Sequence, residues 1–230
     1  MNEHIVRSYD EELNTLSAEC ARMGGLTESQ VADAITAVVK RNQDLAAAVV
    51  GRDDKLDLAE REIEKKAIRL IALRQPMADD LRRTVAAMKV ANNLERVGDL
   101  AKNIAKRTLV IIESDPLTPL TRSIERMGKL VLTRLTSVLD AYSRSDLERA
   151  LAVWSQDDEV DEHYNSLFRE LVTYMMGDPR TITACAHMLF VAKNLERIGD
   201  HATNIAEIVH YQVTGAEMID ARPKTDGLTG

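Results

Sequence analysis

The sequence predicts an all-α protein built as two tandem three-helix bundles related by an internal duplication. Three observations predict it. Apolar residues recur at helical spacing through most of the 230 residues. Aromatic residues make up 3%, and the 5 prolines and 10 glycines are too few for a protein rich in strands and turns. Finally, the segment Asn93 to Ala105 returns as Asn194 to Ala206, 101 residues later, with 10 of 13 positions identical. Two copies at a period of about 100 residues imply two bundles rather than a solenoid array.

The elements follow from that period. Ile5 to about Arg41 reads as one long helix, with Gly24 and Gly25 as a weak point where it bends. A second helix begins at Asp44, the candidate N-cap, and runs through Leu45, Val49, Leu56, Ile63, Ala67 and Leu70 to Arg74, where Gln75-Pro76 stops it. A third spans about Asp79 to Glu113, with a stripe of Val90, Leu94, Val97, Ala101 and Ile104. Ser114 to Pro119 then breaks the chain near its midpoint, and the order repeats. There is a helix from Leu120 to Tyr142, a turn at Ser143 to Asp146, a helix to Met176, a turn at Gly177-Asp178-Pro179, and a helix from Thr181 to Thr214. The expected domains are residues 1–114, residues 119–214, and a disordered tail over 215–230.

Composition excludes several classes. Formal charge is −7, from 37 acidic against 30 basic residues, and no Lys/Arg run offsets it, so nucleic acid is not an expected partner. Cys20 and Cys185 are too far apart for a Cys-x-x-Cys zinc site and too few for a disulfide framework. Met1 to Ser8 lacks an apolar signal core, and no apolar run approaches the roughly 18 residues of a membrane span, so a soluble cytoplasmic protein is expected.

The chemistry lies in the acidic residues. Glu95 and Asp99 stand four apart, as do Asp53 and Asp57, Asp157 and Asp161, and Glu196 and Asp200. On a helix each pair projects from one face and repels itself by a few tenths of a kcal/mol, a cost that calls for a compensating partner. In an antiparallel hairpin turning at Pro76, Asp53 lies level with Asp99 and Asp57 with Glu95. A hairpin turning between Asp178 and Pro179 pairs Asp157 with Asp200 and Asp161 with Glu196 in the same way. Packed helices lie about 8–10 Å apart, a gap that facing Asp and Glu side chains close around a cation. Asp53, Asp57, Glu95, Asp99, Asp157, Asp161, Glu196 and Asp200 are therefore the candidate metal ligands, with Asn92, Asn103, Asn204, Glu60 and His201 as further candidates. An all-oxygen set suits Mg²⁺, Mn²⁺, Ca²⁺ or iron. Glu95 and Asp99 fall opposite the apolar stripe, which puts the site near the surface.

The competing reading is a solvated acidic face on a purely structural helical interaction protein with no metal site. Arg96 and Arg197 read as ion-pair partners of neighbouring carboxylates, and Gly98 and Gly199 as points of close helix or ligand approach, since each costs its helix about 1 kcal/mol against alanine. Met23, Met77, Met88, Met127, Met175, Met176 and Met188 read as core or partner-facing filler, and Trp154 and Tyr142 as core. A ferritin-like di-iron enzyme would need Glu-x-x-His on two helices. Only Glu207 and His210 have that spacing, and Lys106 and Leu109 stand at the matching places in the first copy. With no nucleophile beside a base and no glycine-rich phosphate loop, no enzyme is expected.

At these residues the chain resembles the PhoU family of phosphate-transport accessory proteins, from about Ile5 to Thr214. The resemblance is carried by Met23-Gly24-Gly25 with Asp33 to Thr36, Arg74-Gln75-Pro76, Leu94 to Asp99, Leu195 to Asp200, and Thr173 to Met176. The family's twin E(D)-x-x-x-D motifs fall on the four acidic pairs. The resemblance implies multinuclear sites for divalent or trivalent metal ions (Mg, Mn, Fe or Zn), a homodimer, and a cytoplasmic regulator. That regulator would link the ATPase subunit of a phosphate ABC transporter to a sensor histidine kinase and hold the phosphate-starvation response off, touching the membrane only through those partners. Glu60 and Glu64 extend the first acidic stripe where the second copy has Tyr164 and Phe168, so the two sites are expected to differ in nuclearity or occupancy. Seven of the eight aromatics lie from Tyr142 onward, which suggests more partner or dimer surface on the second bundle.

Overall fold

The computed structural model describes residues 2–52 and 54–218, with side chains from residue 11 onward. Among the described residues eight α-helices carry the fold and no strand occurs. They are α1 (Asn2–Lys40), α2 (Gln43–Gly51), α3 (Asp54–Arg74), α4 (Ala78–Ile111), α5 (Thr118–Arg144), α6 (Leu147–Trp154), α7 (Asp157–Gly177) and α8 (Ile182–Thr214), with a short 3₁₀ turn at Pro179–Thr181 before α8. The long helices α1, α3 and α4 form the first three-helix bundle and α5, α7 and α8 the second; α2 and α6 are short braces against α4 and α8.

Two sequence expectations are corrected. The helix expected from Asp44 to Arg74 is two helices, and its counterpart is likewise split into α6 and α7. Val49 and Leu56 are buried seven residues apart, as are Val153 and Val160, so the apolar repeat runs through each break and hides it. The N-cap is Asn42, whose side chain accepts from the Leu45 N–H, rather than Asp44; in the second copy Asp146 does the same for Arg149. The residues just before these caps, Arg41 and Ser145, both take left-handed φ values, 51° and 52°. The duplication thus extends to the loops, at a spacing of 104 residues.

α1 passes through Gly24 and Gly25 without a break. Gly24 serves packing instead: a Cβ there would reach Leu139 of α5 at 3.2 Å, and a Cβ on Gly128 of α5 would reach Ile35 of α1 at 2.9 Å. Gly128 is the residue 104 positions after Gly24, so α1 and α5 cross antiparallel with one glycine on each side of a pseudo-two-fold. The α4 and α8 pair crosses in the same sense. Asn93 of α4 accepts from Asn204 (3.4 Å) and meets His201 Nδ1 (2.9 Å), while farther along Arg107 stacks on Phe190 (4.5 Å). The two bundles therefore lie side by side and share their interior. One apolar cluster joins Leu16, Leu56 and Leu94 with Val138, Val153 and Val209; the other joins Val31, Val97 and Ile104 with Val131, Leu171 and Leu195.

Of the filler residues, Met23, Met127 and Met188 are in the core, whereas Met77 and Met176, one at each hairpin turn, are each 81% exposed. Tyr142 is buried and Trp154 half-buried, its indole N–H donating to Glu207. Gly215 closes α8 in the left-handed conformation (φ 75°), and Glu217 and Met218 line a surface cavity beyond it. The rest of the expected tail, 219–230, lies outside the described residues.

Gly98 and Gly199 are points of close helix approach, but to different degrees. A Cβ at Gly98 would fall on the Leu56 side chain of α3, whereas at Gly199 it would meet Val160 of α7 at 3.4 Å, an ordinary contact. Gly199→Ala is thus expected to raise thermal stability through helix propensity by up to about 1 kcal/mol. Gly98→Ala is expected to lower it, because Leu56 is itself buried and must move. Thermal melts of the two variants, side by side, check the difference in sign.

Candidate metal centre

Gly98, contacted by Leu56, and Gly199, contacted by Val160, fix the register of α3 on α4 and of α7 on α8. That register puts Asp57 within the field of Glu95. In the first half, burial, then the charge of Asp99, and then those of Asp57 and Glu60 across the hairpin push the Glu95 carboxyl above the ordinary carboxylate range; Arg96, 3.5 Å away, pulls it back. The charges of three other carboxylates thus act on a fourth that is only partly open to water. Lys102 stands 3.9 Å from Asp99, and Glu60, Glu64, Asn92 and Asn93 line an open cavity of about 330 Å³ beside the row. Asp53, the remaining candidate of this half, lies outside the described residues.

The second half differs. Asp157 is 4% exposed and accepts from the Thr203 hydroxyl at 2.7 Å, so it faces the interior at the start of α7 rather than the surface. Glu196 accepts from Lys193 at 2.7 Å, and that ammonium lies 5.2 Å from the centre of the Tyr164 ring. Arg134 of α5 is buried and donates to Glu159 at 2.9 Å. Asp161 and Asp200 are half-buried. His201 and Asn204, named above as further candidate ligands, reach Asn93 across the α4–α8 seam, and Asn92 and Asn103 are exposed. Arg96 pairs with Glu95 as expected.

The donor set bears on what the site can hold. Among the described residues, no three His, Cys, Asp or Glu side chains stand close enough in this arrangement to hold a metal ion. The donors are oxygens, the type that a hard divalent or trivalent cation prefers, and a cation there would relieve the repulsion that raises the Glu95 carboxyl. Sequence reasoning missed Arg134, Lys193 and Thr203. Aligning α1 with α5 through their Met-Gly pairs, Met23-Gly24 and Met127-Gly128, would have shown Arg134 standing where the first half has Gln30.

Comparison with known proteins bears on the same residues. The family model described as PhoU domain matches residues 20–108 and again residues 124–209. The chain is 66% identical over 229 residues to the phosphate-specific transport system accessory protein PhoU homolog of Caulobacter vibrioides, covering all of both chains. It is 50% identical to the homolog of the same name from Rhizobium meliloti, covering 97% of this chain and 94% of that one. Among solved structures it resembles the crystal structure of PhoU from Pseudomonas aeruginosa, with TM-score 0.87 and 39% identity over 90% of this chain and 100% of that one. It also resembles the phosphate transport system regulatory protein PhoU from Streptococcus pneumoniae, with TM-score 0.85 and 28% identity over 91% and 99%.

Proposed function

Because this chain belongs to the PhoU family, we propose that it is a metal-binding regulatory adaptor: an accessory protein of a phosphate-specific transport system that conveys the state of the transporter to a sensor histidine kinase. The observation that carries the cation part is the Glu95 carboxyl, which burial and then the negative charges of Asp99, Asp57 and Glu60 hold above the ordinary carboxylate range. Asp57, Glu95 and Asp99, with Asp53, would hold the ion in the first half, and Asp161, Glu196 and Asp200 would hold one in the second. A bound divalent or trivalent ion would supply positive charge that locks α3 to α4 and presents a neutralised, rigid face to a partner.

The adaptor part draws on the shape of the molecule. Eight helices with a shared core form a stiff body, and among the described residues none is long and apolar enough to cross a membrane. Contact with the ATPase subunit and the kinase would run over exposed helix faces. Met77 and Met176 at the two hairpin turns, and Phe190 on α8, offer exposed apolar side chains for such docking or for a homodimer. In this reading the protein is cytoplasmic and restrains phosphate uptake and the starvation response.

The experiment is deletion of the gene in phosphate-replete cells. Phosphate-starvation genes are expected to switch on, and complementation with the wild-type chain should switch them off again. Unchanged expression and unchanged phosphate uptake after deletion would refute the regulatory role. The structural reading, an acidic face without a metal, draws support from the second half, where Lys193 and Thr203 already engage Glu196 and Asp157.

A further inference from the structure

We propose that the outer side of the α4–α8 seam is a self-docking surface: a second copy of this chain packs on it about a two-fold axis, so that Phe190 of each copy enters the cavity beside Ile208 and Tyr211 of the other. This rests on the homodimer reading above and assigns its interface; the regulatory role stands or falls separately, by the deletion experiment.

Helix geometry relates the knob to the hole. Phe190 and Ile208 of α8 are 18 residues apart. That is five turns, so they lie on one line of the helix about 27 Å from each other. Lys89 and Arg107 of α4 have the same separation, and the midpoints of the two pairs are Gly98 and Gly199. The helices run antiparallel, with Arg107 stacked on Phe190 at one end (4.5 Å) and Lys89 over the Tyr211 ring at the other (5.6 Å). A two-fold axis across the seam at the glycines therefore sets each copy's Phe190 opposite the other's Ile208. Phe190 is 53% exposed, and Val110, one turn on from Arg107, is exposed as well. At the Ile208 end the surface is hollow instead: Ile208, Tyr211 and Met218 supply the apolar lining of a cavity of about 460 Å³. A phenyl ring entering it meets Tyr211, and aromatic pairs gain more than their buried area alone.

Charge is complementary along the same line. No acidic residue occurs from Leu100 to Ile112 or from Pro179 to Leu195, so the Phe190 end, with Lys106 and Arg107, is basic. The cavity end carries Glu207 and Glu217, and the adjoining cavity, which shares Lys89, Asn93 and Ile208, adds Glu60 and Glu64. Cations at that end are engaged within the chain, Lys89 over Tyr211 and Arg82 with Asp79. The acids are held in place. Glu207 accepts from the Trp154 indole at 3.2 Å, and Glu217 follows a turn fixed by His210 and Thr214, each bonded to Ala216 at 3.1 Å. Arg107 of one copy thus faces Glu207 and Glu217 of the other, whereas pairing like ends would set acid on acid. The duplication accounts for one surface complementing itself: Phe190 is the counterpart of Lys89, and Ile208 of Arg107, each 101 residues on. Equivalent positions at the two ends are filled by side chains of opposite kind.

Sedimentation equilibrium of the full chain tests the proposal. Wild type is expected to dimerise, and Phe190→Ala to weaken the dimer at least about 10-fold with an unchanged helix signal, since that side chain is already exposed. Arg107→Glu and Glu217→Arg should each weaken self-association. An equimolar mixture of these two variants should form a mixed dimer, because both of its contacts again join opposite charges; lost structure in either variant would not be repaired by mixing. A full chain that stays monomeric at about 100 μM overturns the proposal. It does so even where the chain ending at Met218 dimerises, for residues 219–230 are then the occupant of the cavity. A dimer that tolerates Phe190→Ala, or a mixture that associates no better than its components, puts the contact on another face and overturns it equally.

Discussion

Leu94→Ala is expected to destabilise the entire chain by about 2–5 kcal/mol, the cost of removing a fully buried leucine from a core that cannot collapse around the space. The loss should appear as one transition shifted to lower denaturant, not as an early melting of the first bundle. Leu94 lies on α4, but the cluster that contains it takes Leu16 and Met23 from α1, Leu56 and Ile63 from α3, Val138 from α5, Val153 from α6 and Ile205 from α8. Weakening one member therefore weakens both halves. Trp154 gives a direct readout, because the single tryptophan belongs to the second half and packs against this same cluster. Its fluorescence midpoint should move together with the far-ultraviolet helix signal when the substitution is made in the first half. A Trp154 midpoint that stays at the wild-type value, with helix lost in a separate earlier step, would show that residues 1–114 and 119–214 are independent folding units.

The second large effect is expected at the α1–α5 crossing. Gly128→Val adds a branched side chain where a Cβ alone already comes within 2.9–3.0 Å of three carbons of Ile35, itself buried in the shared core. Overpacking of this kind costs about 1–3 kcal/mol, and the β-branched residue gains little helix propensity to offset it. Combining it with Ile35→Ala should recover part of the loss, since the second substitution opens the space that the first needs. The coupling measured by a double-mutant cycle of urea denaturation is expected to be favourable and at least about 0.5 kcal/mol. Additive losses would mean that Gly128 does not set the distance between α1 and α5.

Much of this architecture could be read along the chain because helical periodicity and turn chemistry are local. The apolar stripe of α4, the stop at Gln75-Pro76, the midpoint break and the turn at Gly177-Asp178-Pro179 all stand where the pattern places them. The hairpin register was legible for the same reason: once a turn is located, antiparallel packing leaves one way to pair the residues on either side. That register brings Asp57 within the field of Glu95. The two breaks, between α2 and α3 and between α6 and α7, were not legible, since neither carries a proline and the buried positions keep their seven-residue spacing across them. Asp157 was read as a surface ligand because its partner Thr203 lies 46 residues away, and no local pattern announces that a hydroxyl will bury it.

The sequence by itself determined the helical class, the twofold repetition, the positions of the long hairpins and the acidic pairs they carry, because each depends on spacing within a few turns or on likeness between two stretches of one chain. Tertiary structure alone decided that the two bundles fuse along α4–α8 and α1–α5 into shared cores, and that Arg134 and Asp157 are buried. Burial and charge balance depend on which distant helix faces a residue, and that is set by packing among segments up to about a hundred residues apart rather than by the residue's own neighbours in the chain.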